Sequence, residues 1–315
     1  MKHNTLEVHR GYGWKDQHLT EYMQPDSLLR IASISKPITA AAIRKLEDAG
    51  VLAYTTRIVE LLELTPRAGD SPDPRIYDVT IQHLLDHQGG WDRGQAFDPM
   101  FRSNIIADSL GLDRPPETEE IAQYMMGQPL QFTPGSKRSY SNFGYALLGL
   151  AIKKVTGTDY TSYVKTEILS PIGASDVHLG KTLPAKRPAS ESWYFDPYTC
   201  ENVMKPGPSE YVPCPDGGFY LEAMDAHGGL IASSRALVKF ADAFWMNGDP
   251  RPSGATNRWY YFYGSLNGNY SMLYQHTSGI NIAVLFNQRR ENHGDPSGYP
   301  EIRQAVDVVL NQLGY

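Results

Sequence analysis

The chain has 315 residues, of which 41% are hydrophobic and 20% charged, with a formal net charge of −6. That length can bury a large core, as one unit or two interleaved lobes, and an acidic balance without a long basic run excludes the backbone of a nucleic acid as a partner. No stretch approaches the ~20 apolar residues of a membrane span, and the opening MKHNTLEVHR has no apolar signal-peptide core. The expectation is therefore a cytoplasmic protein, with export of a longer form left open.

In chain order, residues 5–14 (TLEVHRGYGW) predict a strand near a sheet edge. The segment after Ser33 (Pro37, Ile38, Thr39, Ala40, Ala41, Ala42, Ile43, Leu46) predicts a buried helix ending at Gly50, with Pro37 tolerated in its first turn. Thr80 predicts the cap of a short helix over 81–86, and Glu117–Gly127 a helix after the Pro115-Pro116 break. Asn142 to Val155, apolar and stopped by Gly157, predicts a second buried helix. The stretch 181–220, rich in Pro, Gly and Tyr, predicts irregular chain. Ser234 to Trp245 predicts a helix opening with a Ser cap. Three strands follow, Arg258–Tyr263, Asn269–His276 and Gly279–Asn287, and Glu301–Leu313 closes the chain as an amphipathic helix. Strands at both ends around a helical middle predict an α+β fold, with an antiparallel sheet built from both chain termini, flanked by helices, and a mostly helical inserted lobe. As one domain, 1–315, the sheet lobe takes about 1–55 and 225–315 and the helical lobe about 56–224, with a cleft between them as the natural place for a site.

The chemistry concentrates at Ser33-Ile34-Ser35-Lys36, a serine about one helical turn before a lysine. Serine is a poor nucleophile until a base takes its proton, and lysine, with an ordinary pKa of ~10.4, becomes such a base near neutrality only when burial lowers it. The spacing is the S-x-x-K of serine acyl-transfer enzymes. A second match, Ser162-Tyr163-Val164-Lys165, lies in an ordinary amphipathic helix and reads as solvated surface. Tyr140-Ser141-Asn142 puts a phenol just before a buried helix and an amide at or near its N-cap, fit respectively to move a proton and to hold Lys36 or substrate.

Other features read as structural. His83 and His87 have metalloprotease spacing, but Leu84 stands where the zinc reading needs Glu and no third ligand follows, so no metal and no cofactor are expected. His227, before Gly228-Gly229, lines the cleft or caps a strand. Cys200 and Cys214 either close a short loop or stay free, and the absent signal sequence favours free thiols. No G-x-S-x-G elbow exists, which argues against an α/β-hydrolase. The run Trp259 to Tyr263 alternates across a strand, half of it toward the core and half available as an apolar wall.

Together, "RIASISKPITAAAI", "TIQHLLDHQGGWD", "PGSKRSYSNFGYALLG" and "DAHGGLIASSRALVKFADAF" resemble, in order and over nearly the whole chain, the serine hydrolases sharing the class C β-lactamase fold. That family includes penicillin-binding DD-peptidases, D-aminopeptidases and serine esterases. The resemblance implies Ser33 as nucleophile, Lys36 and Tyr140 as the proton relay, and Asn142 as a substrate-side amide. The family's usual leading helix and first strand have no counterpart here. Its third motif, Lys-Thr-Gly or His-x-Gly, aligns with Phe262-Tyr263-Gly264-Ser265-Leu266-Asn267-Gly268 rather than with His276-Thr277-Ser278-Gly279, which reads as a hairpin turn. Phe262 then replaces the family's cation, Gly264 keeps the backbone open, and the N–H of Ser265 pairs with that of Ser33 as an oxyanion hole. The resemblance implies a small-molecule ester or amide substrate, and loss of the cation points to an esterase on small neutral esters. The alternatives are a β-lactamase or D-amino-acid peptidase of the same fold, and a non-catalytic penicillin-binding scaffold.

Overall fold

The structure is a computed structural model describing every residue except His3, Pro208, Ser209, Ser253, Gly254, Asn257, Trp259, residues 290–297 and Tyr315. Trp259, expected to open the aromatic run, thus lies outside the described residues.

Two buried helices organise the molecule. Helix α1 (Ser35–Asp48) is rich in alanine and isoleucine and buries Lys36, Ile38, Ala40, Ala41, Ala42, Ile43 and Leu46. It stops before Gly50, whose φ of +69° an L side chain rarely adopts. Short helices α2 (Ile58–Leu62) and α3 (Ile81–Leu85), then α4 (Ser103–Leu110) and α5 (Thr118–Met126), lead to α6 (Asn142–Thr156). Helix α6 is apolar nearly all round, and Gly149 brings it against Ala226. Its N-cap is Ser141, whose hydroxyl accepts from the Gly144 N–H at 3.0 Å. Asn142 is therefore the first residue of the helix, and its side chain remains free for other partners. Helix α7 (Tyr160–Val164) follows; Ser162 within it and Lys165 just after it, the second S-x-x-K match, are both exposed.

Among the described residues the strands form three antiparallel groups. β1 (Leu29–Arg30) and β2 (Val177–Leu179) flank β5 (Leu230–Ala232). β3 (Thr199–Glu201) and β4 (Tyr211–Pro213) make a hairpin within the stretch expected to be irregular. β6 (Tyr260–Leu266), β7 (Asn269–Gln275) and β8 (Asn281–Phe286) form a meander. Helix α8 (Ser234–Ala243), capped by Ser233 and ending two residues before the expected Trp245, packs on β8. Helix α9 (Gly298–Gln312) covers the outer side, where Ile302 and Val306 meet Met272, Tyr274 and Tyr263.

Three expectations are corrected. Residues 6–13 form no strand: Val8 is 74% and Tyr12 82% exposed, and Gly11 lies hard against the Met23 backbone, so the segment runs as a loop. The N-terminus still reaches the meander, where the Asn281 N–H donates to Met1 O at 2.8 Å. Strand β6 lies two to three residues further along than expected, placing Gly264 and Ser265 inside it. Cys200 and Cys214 are bonded rather than free: the hairpin pairs Cys200 with Val212 and leaves the two Cα atoms 4.8 Å apart. No helix among the described residues is long and apolar enough to cross a membrane.

Candidate active site

The site begins with a backbone distortion. After β1 the chain makes a 3-10 turn, Ala32–Ile34, and Ala32 enters it at φ +46°, a left-handed conformation costly for a residue with a Cβ. Three hydrogen bonds pin that bend. The Ile31 N–H donates to Leu230 O at 3.0 Å, the Ser271 hydroxyl donates to Ile31 O at 2.9 Å, and the Ser35 hydroxyl donates to Ala32 O at 2.8 Å. Ser33 thus sits in the turn ahead of α1, with Lys36 in the helix's first turn.

The Lys36 side chain is buried, with the residue 1% exposed, and its Nζ makes three contacts. It donates to Asn142 Oδ1 and to the His227 carbonyl, each at 2.7 Å, and stands 3.2 Å from Ser33 Oγ. Burial holds its pKa well below the ordinary lysine value, with Asp98 pulling the other way. A neutral amine has two N–H groups and one lone pair. In that form the two carbonyl-type acceptors would take both N–H groups and leave the lone pair for the Ser33 O–H. The Tyr140 hydroxyl donates to Ser33 Oγ at 2.8 Å, and burial pushes that phenol up to about 12, so it holds its proton at neutral pH.

The loop after α3 braces Tyr140. His87, at φ +59°, packs at a tilt against the Tyr140 ring with centroids 4.5 Å apart and against Tyr145 at 5.0 Å. Its Nδ1 accepts from the Ser141 N–H at 3.2 Å, its carbonyl accepts from the Ser139 N–H at 2.8 Å, and burial pushes the imidazole down to about 3. His83 instead turns back on its own helix in a capping box with Thr80. The two histidines that share metal spacing therefore serve separate structural ends. The His227 ring is buried and held neutral by that burial, while its carbonyl faces Lys36.

The third motif lies on β6, the edge strand of its meander, packed against the Ala32–Ile34 turn. A Cβ on Gly264 would collide with the Ile31 carbonyl and the Ser271 hydroxyl, so this residue permits the close approach. Phe262 shares that sheet face, half-buried against the main core, whereas Tyr263 and Ser265 point to the opposite face. His276 lies in the β7–β8 turn, its Nδ1 2.7 Å from the Ser278 hydroxyl. Sequence reading singled out neither Asp98, whose carboxylate accepts from Asn142 Nδ2 at 2.6 Å, nor Arg93, whose guanidinium lies 5.0 Å from the Tyr140 ring centre. Asp98-Pro99 reads locally only as a turn cap, and Arg93 stands in no recognisable local pattern.

Known proteins resemble this chain in sequence and in fold. The chain is 30% identical over 246 residues to penicillin-binding protein 4* of Bacillus subtilis (strain 168), a match covering 76% of this chain and 49% of that protein. It is 31% identical over 182 residues to esterase EstB of Burkholderia gladioli, covering 56% and 44%. The chain spans about half the length of the curated relatives it matches. Among solved structures, D-amino acid amidase from Ochrobactrum anthropi SV3 superposes with a TM-score of 0.68 at 19% identity, covering 96% of this chain and 89% of that one, which places the α+β architecture in the β-lactamase/transpeptidase fold. The Beta-lactamase family model matches residues 1–258, and the chain belongs to that family.

Proposed function

We propose that the protein is a serine hydrolase that cleaves small neutral esters through an acyl-enzyme. The observation carrying this reading is the pair of contacts on Ser33 Oγ, with the Tyr140 hydroxyl at 2.8 Å and a buried Lys36 amine at 3.2 Å. The Ser33 proton passes to Lys36 Nζ as Oγ bonds to the ester carbonyl carbon. The resulting oxyanion takes the backbone N–H groups of Ser33 and Ser265, donors worth ~3 kcal/mol each. Collapse breaks the bond to the alkoxide, which leaves with the Tyr140 proton, and Lys36 returns a proton to Tyr140. Water then repeats the sequence on the acyl group. Asn142 holds Lys36, and Phe262 offers an apolar wall where a cation would favour an anionic substrate.

Cleavage of β-lactams or D-amino-acid amides by the same serine is the second reading. It is supported by the likeness to a penicillin-binding protein and a D-amino acid amidase, and disfavoured by Phe262. A scaffold without chemistry is the third, disfavoured by a relay whose groups all have partners. A fluorophosphonate probe followed by peptide mapping separates enzyme from scaffold: labelling is expected at Ser33, lost in Ser33→Ala and near wild type in Ser162→Ala. Hydrolysis of p-nitrophenyl acetate without turnover of nitrocefin is expected. Labelling at any other residue would overturn the site, and efficient nitrocefin turnover would overturn the substrate class.

A further inference from the structure

Behind the Lys36 amine lies a carboxylate that the relay above does not use. Asp98 caps the short 3-10 turn Pro99–Phe101, its Oδ1 accepting from the Met100 N–H at 3.2 Å. Its Oδ2 accepts from Asn142 Nδ2 at 2.6 Å, and Asn142 Oδ1 in turn accepts from Lys36 Nζ at 2.7 Å. We propose that Asp98 is a positioning residue, whose carboxylate fixes the orientation of the Asn142 amide and supplies a negative charge behind Lys36.

Burial raises the Asp98 carboxyl pKa, while the N–H groups of Asn142 and Met100 and the charges of Arg93 and Lys36 favour its ionised form; ionised, a carboxylate only accepts hydrogen bonds. It therefore makes Asn142 present its NH2 group to Asp98 and its oxygen to Lys36. With the amide reversed, an N–H donor would face the Lys36 nitrogen. The amine would then spend on that donor the lone pair needed to take the Ser33 proton. The groups around Lys36 make this charge matter. The rings of Tyr140 and Tyr145 lie 4.8 and 5.8 Å from Nζ, His87 and His227 are buried and neutral, and Arg93 is a cation. Asp98 is the acidic member of the set acting on Lys36, opposing both burial and Arg93.

The competing account is that Asp98 only caps its turn. Asp98→Asn separates the two, since Asn caps about as well as Asp but carries no charge and can pair with either orientation of Asn142. The direct readout is the NMR titration of the Lys36 side chain in the free protein, assigned by loss of its signal in Lys36→Arg. Removing the carboxylate should lower the Lys36 midpoint by about one pH unit, with the melting temperature near wild type. A midpoint moved by less than about 0.3 unit overturns the proposal. If Asp98→Asn does not fold, Asp98→Ser, which keeps a capping oxygen, carries the same titration. The effect on turnover rests on the serine-hydrolase reading. Where wild type cleaves p-nitrophenyl acetate, kcat in Asp98→Asn should fall about tenfold or more with KM nearly unchanged, and an unchanged kcat also overturns the proposal. An inactive wild type would defeat the hydrolase reading alone, because the titration needs no substrate.

Discussion

Ser33 and Lys36 lie on opposite sides of a boundary between a 3-10 turn and helix α1, and their side chains still meet at 3.2 Å. The left-handed Ala32 makes this possible by turning the chain out of β1 just before the serine. Such a residue costs on the order of 1–3 kcal/mol and persists where surrounding bonds over-determine it, as those to Ile31 and Ala32 do here.

Lys36→Ala and Tyr140→Phe should each lower kcat for ester hydrolysis about 10²–10⁴-fold. The double variant should lose far less than the product, because the groups act as one relay. In wild type, kcat/KM should rise as Lys36 loses its proton, on a limb well below the ordinary lysine range, because burial disfavours the ammonium. Tyr140, at about 12, should add no alkaline limb under ordinary assay conditions. A pH–rate profile reaching its plateau only where a free lysine titrates would remove Lys36 as the base.

His87 predicts a pH dependence of stability. Its imidazole is held near 3 in the folded protein by burial, against ~6.5 in the unfolded chain. Between these values the unfolded chain binds a proton that the native state does not, so stability falls as pH drops from about 6.5 towards 3. The contribution is on the order of 5 kcal/mol over the full window. Asn tolerates left-handed backbone and can accept from the Ser141 N–H. His87→Asn should therefore fold and show a flatter loss of stability across that window in denaturant titrations. Equal slopes in the two proteins would refute this account.

Gly264→Ala should damage both fold and rate. The new methyl group meets the Ile31 carbonyl, which is backbone and cannot swing aside, so β6 must retreat from the Ser33 turn. A loss of about 1–3 kcal/mol is expected from the overpacking, with slower labelling of Ser33 in the protein that remains folded. Wild-type melting and labelling would mean that β6 does not press on this turn.

Phe262 bears on substrate choice. Neutral short-chain esters should be cleaved far faster than penicillins or D-alanyl peptides with a free carboxylate. Phe262→His should fold, because the side chain is only half-buried, and should improve kcat/KM for carboxylate-bearing substrates. His276→Ala should leave kcat/KM unchanged, since His276 sits in the β7–β8 turn bonded to Ser278. A large loss in His276→Ala would mean that the third motif is misaligned.

Local chemistry made much of this molecule legible. Helices α1, α3, α5 and α6 end or begin at residues whose backbone preference is intrinsic: Gly50 and Gly157 at positive φ, Thr80 as a cap, and the break at Pro115-Pro116. The pairing of Ser33 with Lys36 is equally local, being one turn of chain. The strand expected over 5–14 failed because alternation does not make a strand without a partner; Val8 and Tyr12 face solvent instead. Cys200 and Cys214 gave no local sign of bonding because a β-hairpin, not their spacing, aligns them.

By itself the sequence determined the nucleophile candidates, the buried helices beside them and the order of the motifs, because helix caps and one-turn spacings involve neighbours along the chain. Only the tertiary structure supplied the burial of Lys36, since α6 and the His227 segment pack over it, whereas Lys165, which the sequence already read as solvated, stays exposed. It also revealed Asp98, whose partner Asn142 is 44 residues away. A carboxylate's meaning depends on which atoms surround it once water is removed, and that surrounding forms only when the chain packs.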